Sequence, residues 1–551
     1  MKIVIVGGVA GGMSAATRLR RLNENAEIIV FEKGPYVSFA NCGLPYHISG
    51  EIEKREQLLV QTTTGLNNRF NIDVRPNHEV IQIDRDNKRI MFDHNQKAGV
   101  ETYDYLILST GASPITPQIK GIEDSEHIFT LRSIPDLDRI MDQVQQNPKH
   151  AVVVGAGFIG LEVAENLAKK GLSVSLVEKA PQVLPPLDEE MASFIQNEVT
   201  SKNIDVYTSN SVVEFKDEGQ TIVLENGEEL SSDLTILSIG VQPESSLAKQ
   251  AGIKTGLGDG ILVNENYQTS DANIYAVGDA IIVKQQITNQ ETLIPLASPA
   301  NRQGRQVADI ISGQTRKNKG SIGTSIVRVF GLTAASTGLN ERNAKQAQLP
   351  ISVLHISGKN HAGYFPNATD IHLKLIFHSE TGEIYGAQAI GQEGVDKRID
   401  VIATAIKGGL SVFDLPELEL TYAPPFGSAK DPVNMAGYAA INLIEGTSES
   451  VQWYELEDEL NKGKILLDVR NDQELRNGQF SHSIHIPLDN LRDEIHQLDK
   501  KKEYIVSCHS GLRSYIAERI LKQNGVSVKN LDGAFALYRN IYPDKLIYNK
   551  K

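Results

Sequence analysis

Cys42 and Cys508 are the two cysteines of this 551-residue chain, and each sits in a stretch suited to sulfur chemistry. Cys42 lies in Ser38-Phe39-Ala40-Asn41-Cys42-Gly43-Leu44-Pro45-Tyr46, and Cys508 opens Cys508-His509-Ser510-Gly511-Leu512-Arg513-Ser514. Neither has a neighbouring cysteine, so an internal disulfide is excluded as a redox shuttle. A lone redox cysteine alternates instead between a thiolate and a sulfenic acid or a mixed disulfide with a substrate. Cys508 follows an apolar strand pattern at 504–507 and precedes a helical pattern at 515–523. A cysteine at such a turn faces backbone N–H groups and a helix N-terminus, which lower its pKa and cradle an anion.

The elements that must position Cys42 begin with a glycine turn. Residues 2–6 form a β-branched strand, followed by Gly7-Gly8-Val9-Ala10-Gly11-Gly12 and a helical pattern at Ala15, Ala16, Leu19 and Leu22. A second strand, 28–31, ends at Glu32. This is a βαβ unit that seats a pyrophosphate over the helix N-terminus and places Glu32 at the ribose hydroxyls. It departs from G-x-G-x-x-G at its middle glycine, which is Val9. A complete copy follows: strand 151–154, Gly155-Ala156-Gly157-Phe158-Ile159-Gly160, a helix through Glu162 to Lys169, and strand 174–177 ending at Glu178. An acidic residue there favours NADH over NADPH, and Lys179 beside it softens that preference and leaves NADPH usable.

The stretch from Thr269 to Asp279, TSDANIYAVGD, resembles the second FAD motif of two-dinucleotide flavoproteins, and Ser109-Thr110-Gly111 resembles the exit from their FAD domain. The order of motifs over about the first four-fifths of the chain resembles the pyridine nucleotide–disulfide oxidoreductases. That resemblance implies FAD and NAD(P)H as cofactors, Asp279 on the ribitol chain with Gly278 allowing close approach, and further cofactor contacts from Lys33, Ser38, Asn41, Gly240 and Ala297. The Cys42 segment, together with His361-Ala362-Gly363-Tyr364-Phe365-Pro366 and Leu420-Thr421-Tyr422-Ala423-Pro424-Pro425, resembles the coenzyme A disulfide and persulfide reductase group. In that group two tyrosines from the partner subunit face the cysteine; the matching residues are Tyr364 and Tyr422, whose phenols suit general-acid work on a departing thiolate. The resemblance also implies coenzyme A contacts from Arg18, Arg21, Ser38 and Asn41. Peroxidase relatives carry a His in the first glycine loop; here that stretch is Val9-Ala10, which favours a thiol-derived substrate.

After Gly446-Thr447-Ser448 the pattern restarts with a strand at 465–469. The Cys508 loop, LLDVRNDQE and His485-Ile486-Pro487-Leu488 resemble rhodanese (sulfurtransferase) domains, which implies Cys508 as persulfide carrier and Arg513 as an anion contact. The related phosphatases of that fold use a longer loop between Cys and Arg.

The fold expected is therefore α/β: two Rossmann-like dinucleotide-binding domains, an α+β dimerisation domain and a C-terminal α/β rhodanese domain. The expected bounds are 1–112 and 248–324 for the FAD domain, 113–247 for the NAD(P) domain, 325–446 for the homodimer interface domain and 449–551 for the rhodanese module. The net charge of −14 argues against a nucleic-acid partner, and all of it falls before Glu449, since the remainder carries 16 basic and 16 acidic residues. No apolar run approaches the ~20 residues that span a bilayer. The opening MKIVIVGG runs straight into the first strand, and with two separated cysteines it points to the cytoplasm. No metal site is expected. The function expected is NAD(P)H-driven reduction of coenzyme A persulfides or polysulfides. Coenzyme A disulfide reduction is the alternative, with an NADH peroxidase or oxidase, or a sulfur-trafficking redox sensor, ranked below it.

Overall fold

The computed structural model describes residues 1–548, which fall into two compact units. The first comprises Met1–Pro181 and Asn203–Gly323; the second comprises Gln182–Lys202 and the chain from Thr324 onward.

The first unit is built on two five-stranded parallel sheets with equivalent strand order. One runs Ile274–Ala276, Tyr105–Leu108, Lys2–Val6, Glu27–Glu32, Asp73–Pro76. The other runs Ile128–Thr130, Leu234–Leu237, His150–Val154, Ser173–Val177, Asp205–Tyr207. The central strands are almost continuously apolar because helices cover both faces of a parallel sheet; Ile3, Val4 and Ile5 are fully buried, as are Val152 and Val153. The helices Ala10–Leu22 and Phe158–Lys169 leave the two glycine turns. Two small antiparallel sheets, Glu79–Asp84 with Arg89–His94 and Lys97–Thr102, and Val212–Lys216 with Thr221–Leu224 and Glu229–Ser231, have no counterpart in the sequence expectations.

The second unit contains an antiparallel sheet ordered Ser325–Val329, Leu332–Gly338, Ile384–Gly391, Asp370–His378, Ile351–Lys359. Its core joins Leu373, Leu375 and Phe377 to Ile399 and Ile402 of the helix Val395–Gly408 and to Val433 and Ala436 of the helix Pro432–Ile444. The helix Glu189–Ser201 arises within the span expected for the NAD(P) domain, yet it packs here, against Ile384–Gly391 and the helix Ala534–Ile541. A parallel sheet closes the unit in the order Ser450–Val451, Ser527–Leu531, Glu503–Ser507, Ile465–Asp468, Ile484–His485. The segment leading into it is clamped. Ser448 Oγ and the Glu449 N–H donate to the fully buried Glu518 at 2.5 and 2.8 Å, and Arg519 donates to the Thr447 carbonyl.

A buried ionic network ties this last sheet to the antiparallel one. Lys374, 0% exposed, meets Asp188 at 2.9 Å, Glu341 at 2.7 Å, and Glu190. Asp188, Glu190 and Glu341 converge closely enough to hold a cation, and the Lys374 ammonium is that cation. His355 faces Asp532 through Nδ1 at 2.6 Å and Glu190 through Nε2 at 3.1 Å. Both neighbours are carboxylate oxygens, which only accept, so both ring nitrogens carry protons and His355 is an imidazolium. Burial works to lower its pKa, but Asp532 and Glu190 outweigh burial and raise it to about 9.

The sign of the pH effect follows. A folded-state pKa near 9 against an unfolded value of roughly 6.5 means that His355 contributes its full stability below pH ~6.5 and loses it as pH rises through 9. Thermal melts from pH 6 to 10 should show a decline over that window that is absent in His355→Gln. At pH 6 the variant should be less stable by about 3 kcal/mol, the cost of breaking a buried pair. Parallel pH profiles for the two proteins would refute the ionised assignment.

Candidate functional site

The two glycine turns are built by the same bonds. Gly7 has φ +104° and Gly155 φ +101°; a Cβ would fall 2.1 Å from the Ser109 carbonyl oxygen in one and 2.4 Å from that of Ser238 in the other. A Cβ on Gly12 or Gly160 would lie within 1.9 Å of the Gly7 or Gly155 carbonyl. Close strand-to-helix crossing therefore forbids side chains at these four positions. Each strand-end carboxylate is pinned twice by backbone. Glu32 accepts from the Gly8 and Gly34 N–H groups at 2.9 and 2.8 Å, and Glu178 accepts from Ala156 and Ala180, both at 2.7 Å. The middle position differs: Val9 stands where the second turn has Gly157, with φ −112° and ψ −136°, and it lines the cleft that holds Cys42.

A cleft of about 990 Å³ runs through the first unit. It collects Gly7, Val9, Ala10, Gly11, Glu32, Lys33, Ser38, Asn41 and Cys42 with Ser109, Thr110, Gly111, Gly278, Asp279 and Ala297. Among the first-turn residues expected at the cofactor, Gly8 and Gly12 lie beneath its surface. The fit to FAD is chemical as well as spatial. The walls offer a helix N-terminus without room for side chains, a fixed carboxylate at one strand end, and a second carboxylate, Asp279, farther along. The second turn, with Gly155, Gly157, Phe158, Ile159, Gly160 and Glu178, stands outside this cleft; the space a Cβ on Gly157 would enter is open.

Cys42 sits in the short turn Asn41–Gly43, exposed in the cleft. Burial around the sulfur and then the Glu162 carboxylate push its thiol up, and Arg132 pulls it down. Arg132 was not foreseen from sequence. It bonds Asp279 at 2.9 Å, and its carbonyl accepts from Asn41 Nδ2 at 3.2 Å, so it links the cysteine turn to the Asp279 carboxylate. The following helix, Leu44–Ser49, is stapled to the helix of the second glycine turn: Tyr46 Oη donates to Glu162 at 2.8 Å and Ser49 Oγ to Asn166 at 2.6 Å. Of the arginines on the first helix, Arg18 is engaged through Nε by the buried Asp309 at 2.7 Å, and Arg20 is spent on the backbone carbonyls of Phe70, Asn71 and Glu24. Arg21 donates to the Thr17 carbonyl at the exposed edge.

In the second unit, Tyr364 and Tyr422 come together, their hydroxyls 3.1 Å apart. They are 76% and 49% exposed, beside exposed Phe365 and Phe426. Cys508 is wholly buried at the end of Glu503–Ser507. The Gly511 N–H points at its sulfur at 3.1 Å, and the Ser514 hydroxyl lies 3.4 Å from it. Arg513, in the first turn of Leu512–Gln523, is held by both oxygens of Glu474 at 2.6 and 2.7 Å, a partner the sequence did not announce. The Asp468 and Arg470 of LLDVR pair with each other in the core.

Residues 1–304 match the family described as pyridine nucleotide-disulphide oxidoreductase, 324–432 its dimerisation domain, and 452–540 the rhodanese-like domain. A coenzyme A disulfide reductase of Staphylococcus haemolyticus is 36% identical over 448 residues, 80% of this chain and 100% of that one. Two solved structures span nearly the whole chain. Reduced Bacillus anthracis CoADR-RHD is 51% identical with a TM-score of 0.98, covering 99% of each chain. An NAD-dependent persulfide reductase from A. fulgidus is 38% identical with a TM-score of 0.93, covering 98% of this chain and 100% of that one.

The backbone-pinned Glu178 bears on nicotinamide choice. A carboxylate at this strand end would accept from a ribose hydroxyl and repel a 2′-phosphate, so kcat/KM should favour NADH over NADPH by about ten- to a hundredfold, or roughly 1–3 kcal/mol. Glu178→Gln should reduce that ratio by about tenfold. An unchanged ratio in steady-state assays would show that another group discriminates.

Proposed function

The chain belongs to the pyridine nucleotide-disulphide oxidoreductase family, and we propose that it is an FAD-dependent NAD(P)H reductase of coenzyme A persulfides and polysulfides. In this reading Cys42 carries out the reduction and Cys508 handles sulfane sulfur. One observation carries it: a single thiol opens into the dinucleotide cleft, and the same chain holds a second thiol in a rhodanese-like module fixed by its linker. A sulfur-transfer module suits persulfide reduction better than simple disulfide reduction, which ranks persulfide first. Coenzyme A disulfide reduction stays as the second reading, because relatives that align over their whole length carry that name.

When bound, FAD supplies a two-electron relay between nicotinamide and sulfur. Glu32 and the first glycine turn would hold its nucleotide end and Asp279 its ribitol. The Cys42 thiolate attacks the substrate sulfur–sulfur bond; one half joins Cys42 through a new S–S bond and the other departs as thiolate. Arg132 stabilises the Cys42 anion against Glu162. Tyr364 and Tyr422, contributed by the second subunit of a homodimer, would protonate the leaving thiolate. Two electrons originating on the nicotinamide then open the Cys42 mixed species and restore the thiolate. Of the first-helix arginines, Arg21 is the better phosphate contact for coenzyme A, since Arg18 is engaged by Asp309. On this reading the domains run 1–112 with 248–324, 113–247, 325–446 and 449–551, and the two unpaired cysteines support a cytoplasmic setting.

The two thiols should separate in assays. Cys42→Ser should lower NADH oxidation with coenzyme A persulfide or coenzyme A disulfide by at least about a thousandfold, because no other thiol can replace the nucleophile. Cys508→Ser should keep NADH oxidation with coenzyme A disulfide within about threefold of wild type while abolishing thiocyanate formation from polysulfide and cyanide. Full persulfide reduction by Cys42→Ser would overturn the reading.

A further inference from the structure

Next to Cys508 the chain carries its own anion. Arg513, the cation of the thiol loop, has both terminal nitrogens bonded to the two oxygens of Glu474, in the turn Glu474–Asn477. This is the bidentate fork in which a guanidinium holds a planar oxyanion most strongly. Glu474 is fixed from behind by the Asn471 N–H at 3.0 Å. The Arg513 bond holds its carboxyl far down, at about 2, so it is charged throughout the working pH range. The other charged groups near the loop are not part of this fork: Arg470 is answered by the buried Asp468, Arg539 lies over the Phe535 ring and keeps its charge, and burial lowers the pKa of His509.

Two kinds of sulfane donor reach a rhodanese-type thiolate. A thiosulfate-type dianion presents a charged oxyanion head that needs an open guanidinium. A thiol persulfide, R–S–SH, presents its terminal sulfur on a neutral or singly charged end and needs donors only near the sulfur. Here the guanidinium fork is filled and a fixed negative charge stands beside it. The Gly511 N–H remains directed at the sulfur itself, and the Ser514 hydroxyl lies 3.4 Å from it while donating to the Gly511 carbonyl at 2.9 Å. We infer that Glu474 sets the donor selectivity of Cys508, closing it to oxyanion donors such as thiosulfate and leaving it to thiol persulfides, an inference that rests on Cys508 being a persulfide carrier. The step balances without any outside oxidant. The Cys508 thiolate attacks the terminal sulfur of R–S–SH, a new Cys508 S–S bond forms as the donor S–S bond breaks, and R–S⁻ leaves with the electron pair. Cys508 is left as a persulfide that retains the proton.

The experiment uses the full-length flavoprotein and follows thiocyanate formation from cyanide with thiosulfate or with glutathione persulfide as donor. Wild type should prefer the persulfide by at least about a hundredfold in kcat/KM. Glu474→Gln removes the charge and should raise the thiosulfate value by about tenfold or more, with the persulfide value moving less than about threefold. Glu474→Asp keeps the charge and should leave thiosulfate excluded. Thiosulfate use that is unmoved in Glu474→Gln, or that matches persulfide in wild type, overturns the inference; the wild-type ratio decides alone should the variant lose its fold. NADH oxidation with coenzyme A disulfide, measured on the same samples, reports separately on the reductase reading.

Discussion

The first unit depends on one steric condition, repeated. At Gly7 and again at Gly155 the chain leaves a central strand with φ near +100°, against the carbonyl of a neighbouring strand's end, Ser109 or Ser238. With no side chain there, the following helix comes close enough that Gly12 and Gly160 nearly touch the carbonyls of those first glycines. At the first turn the helix N-terminus is thereby left facing the cleft, the kind of end that suits a pyrophosphate. Strand-end carboxylates complete the arrangement because their oxygens are already bonded to the turn. Everything farther along, including the Cys42 turn and its staple to Glu162 and Asn166, takes its position from these two crossings.

The second unit is organised by charge rather than by glycine. Burying Lys374, Glu190 and His355 costs desolvation that only mutual pairing offsets, so the network tolerates one arrangement and few others. Its outermost member, Asp532, leads directly into the turn at Gly533, and the next N–H groups, of Phe535 and Ala536, bond the carbonyls of Cys508 and His509 at 3.0 and 2.9 Å. The thiol loop is thus held by backbone bonds whose origin is a domain-docking pair. A clamped linker and a buried network join the C-terminal module to the rest of this unit.

What the sequence disclosed follows the range of the forces involved. The glycine turns, both acidic strand ends and the Cys508 loop are local patterns, and the strands at 28–31, 151–154 and 174–177 were placed within a residue of Glu27–Glu32, His150–Val154 and Ser173–Val177. The strand Leu332–Gly338 escaped notice because LTAASTG is small and weakly apolar; it is a strand only because two neighbours pair with it. Arg132 and Asp279 lie 147 residues apart, and Arg513 and Glu474 39 apart, and no spacing rule joins them. The helix Glu189–Ser201 carries an ordinary amphipathic pattern, which fixes its type but not the sheet it chooses. The middle glycine of the first turn was read as a departure, and Val9 lines the cleft at that position.

The two thiols sit in different surroundings. Cys42 is accessible, and the balance of Arg132 against burial and Glu162 sets its charge. Glu162, which raises the thiol's pKa, belongs to the helix of the second glycine turn and accepts the Tyr46 hydroxyl. Cys508 is enclosed, and its sulfur is addressed by backbone and hydroxyl donors that do not titrate near neutrality. Two sulfur chemistries can share one chain because each answers to a different set of fixed charges.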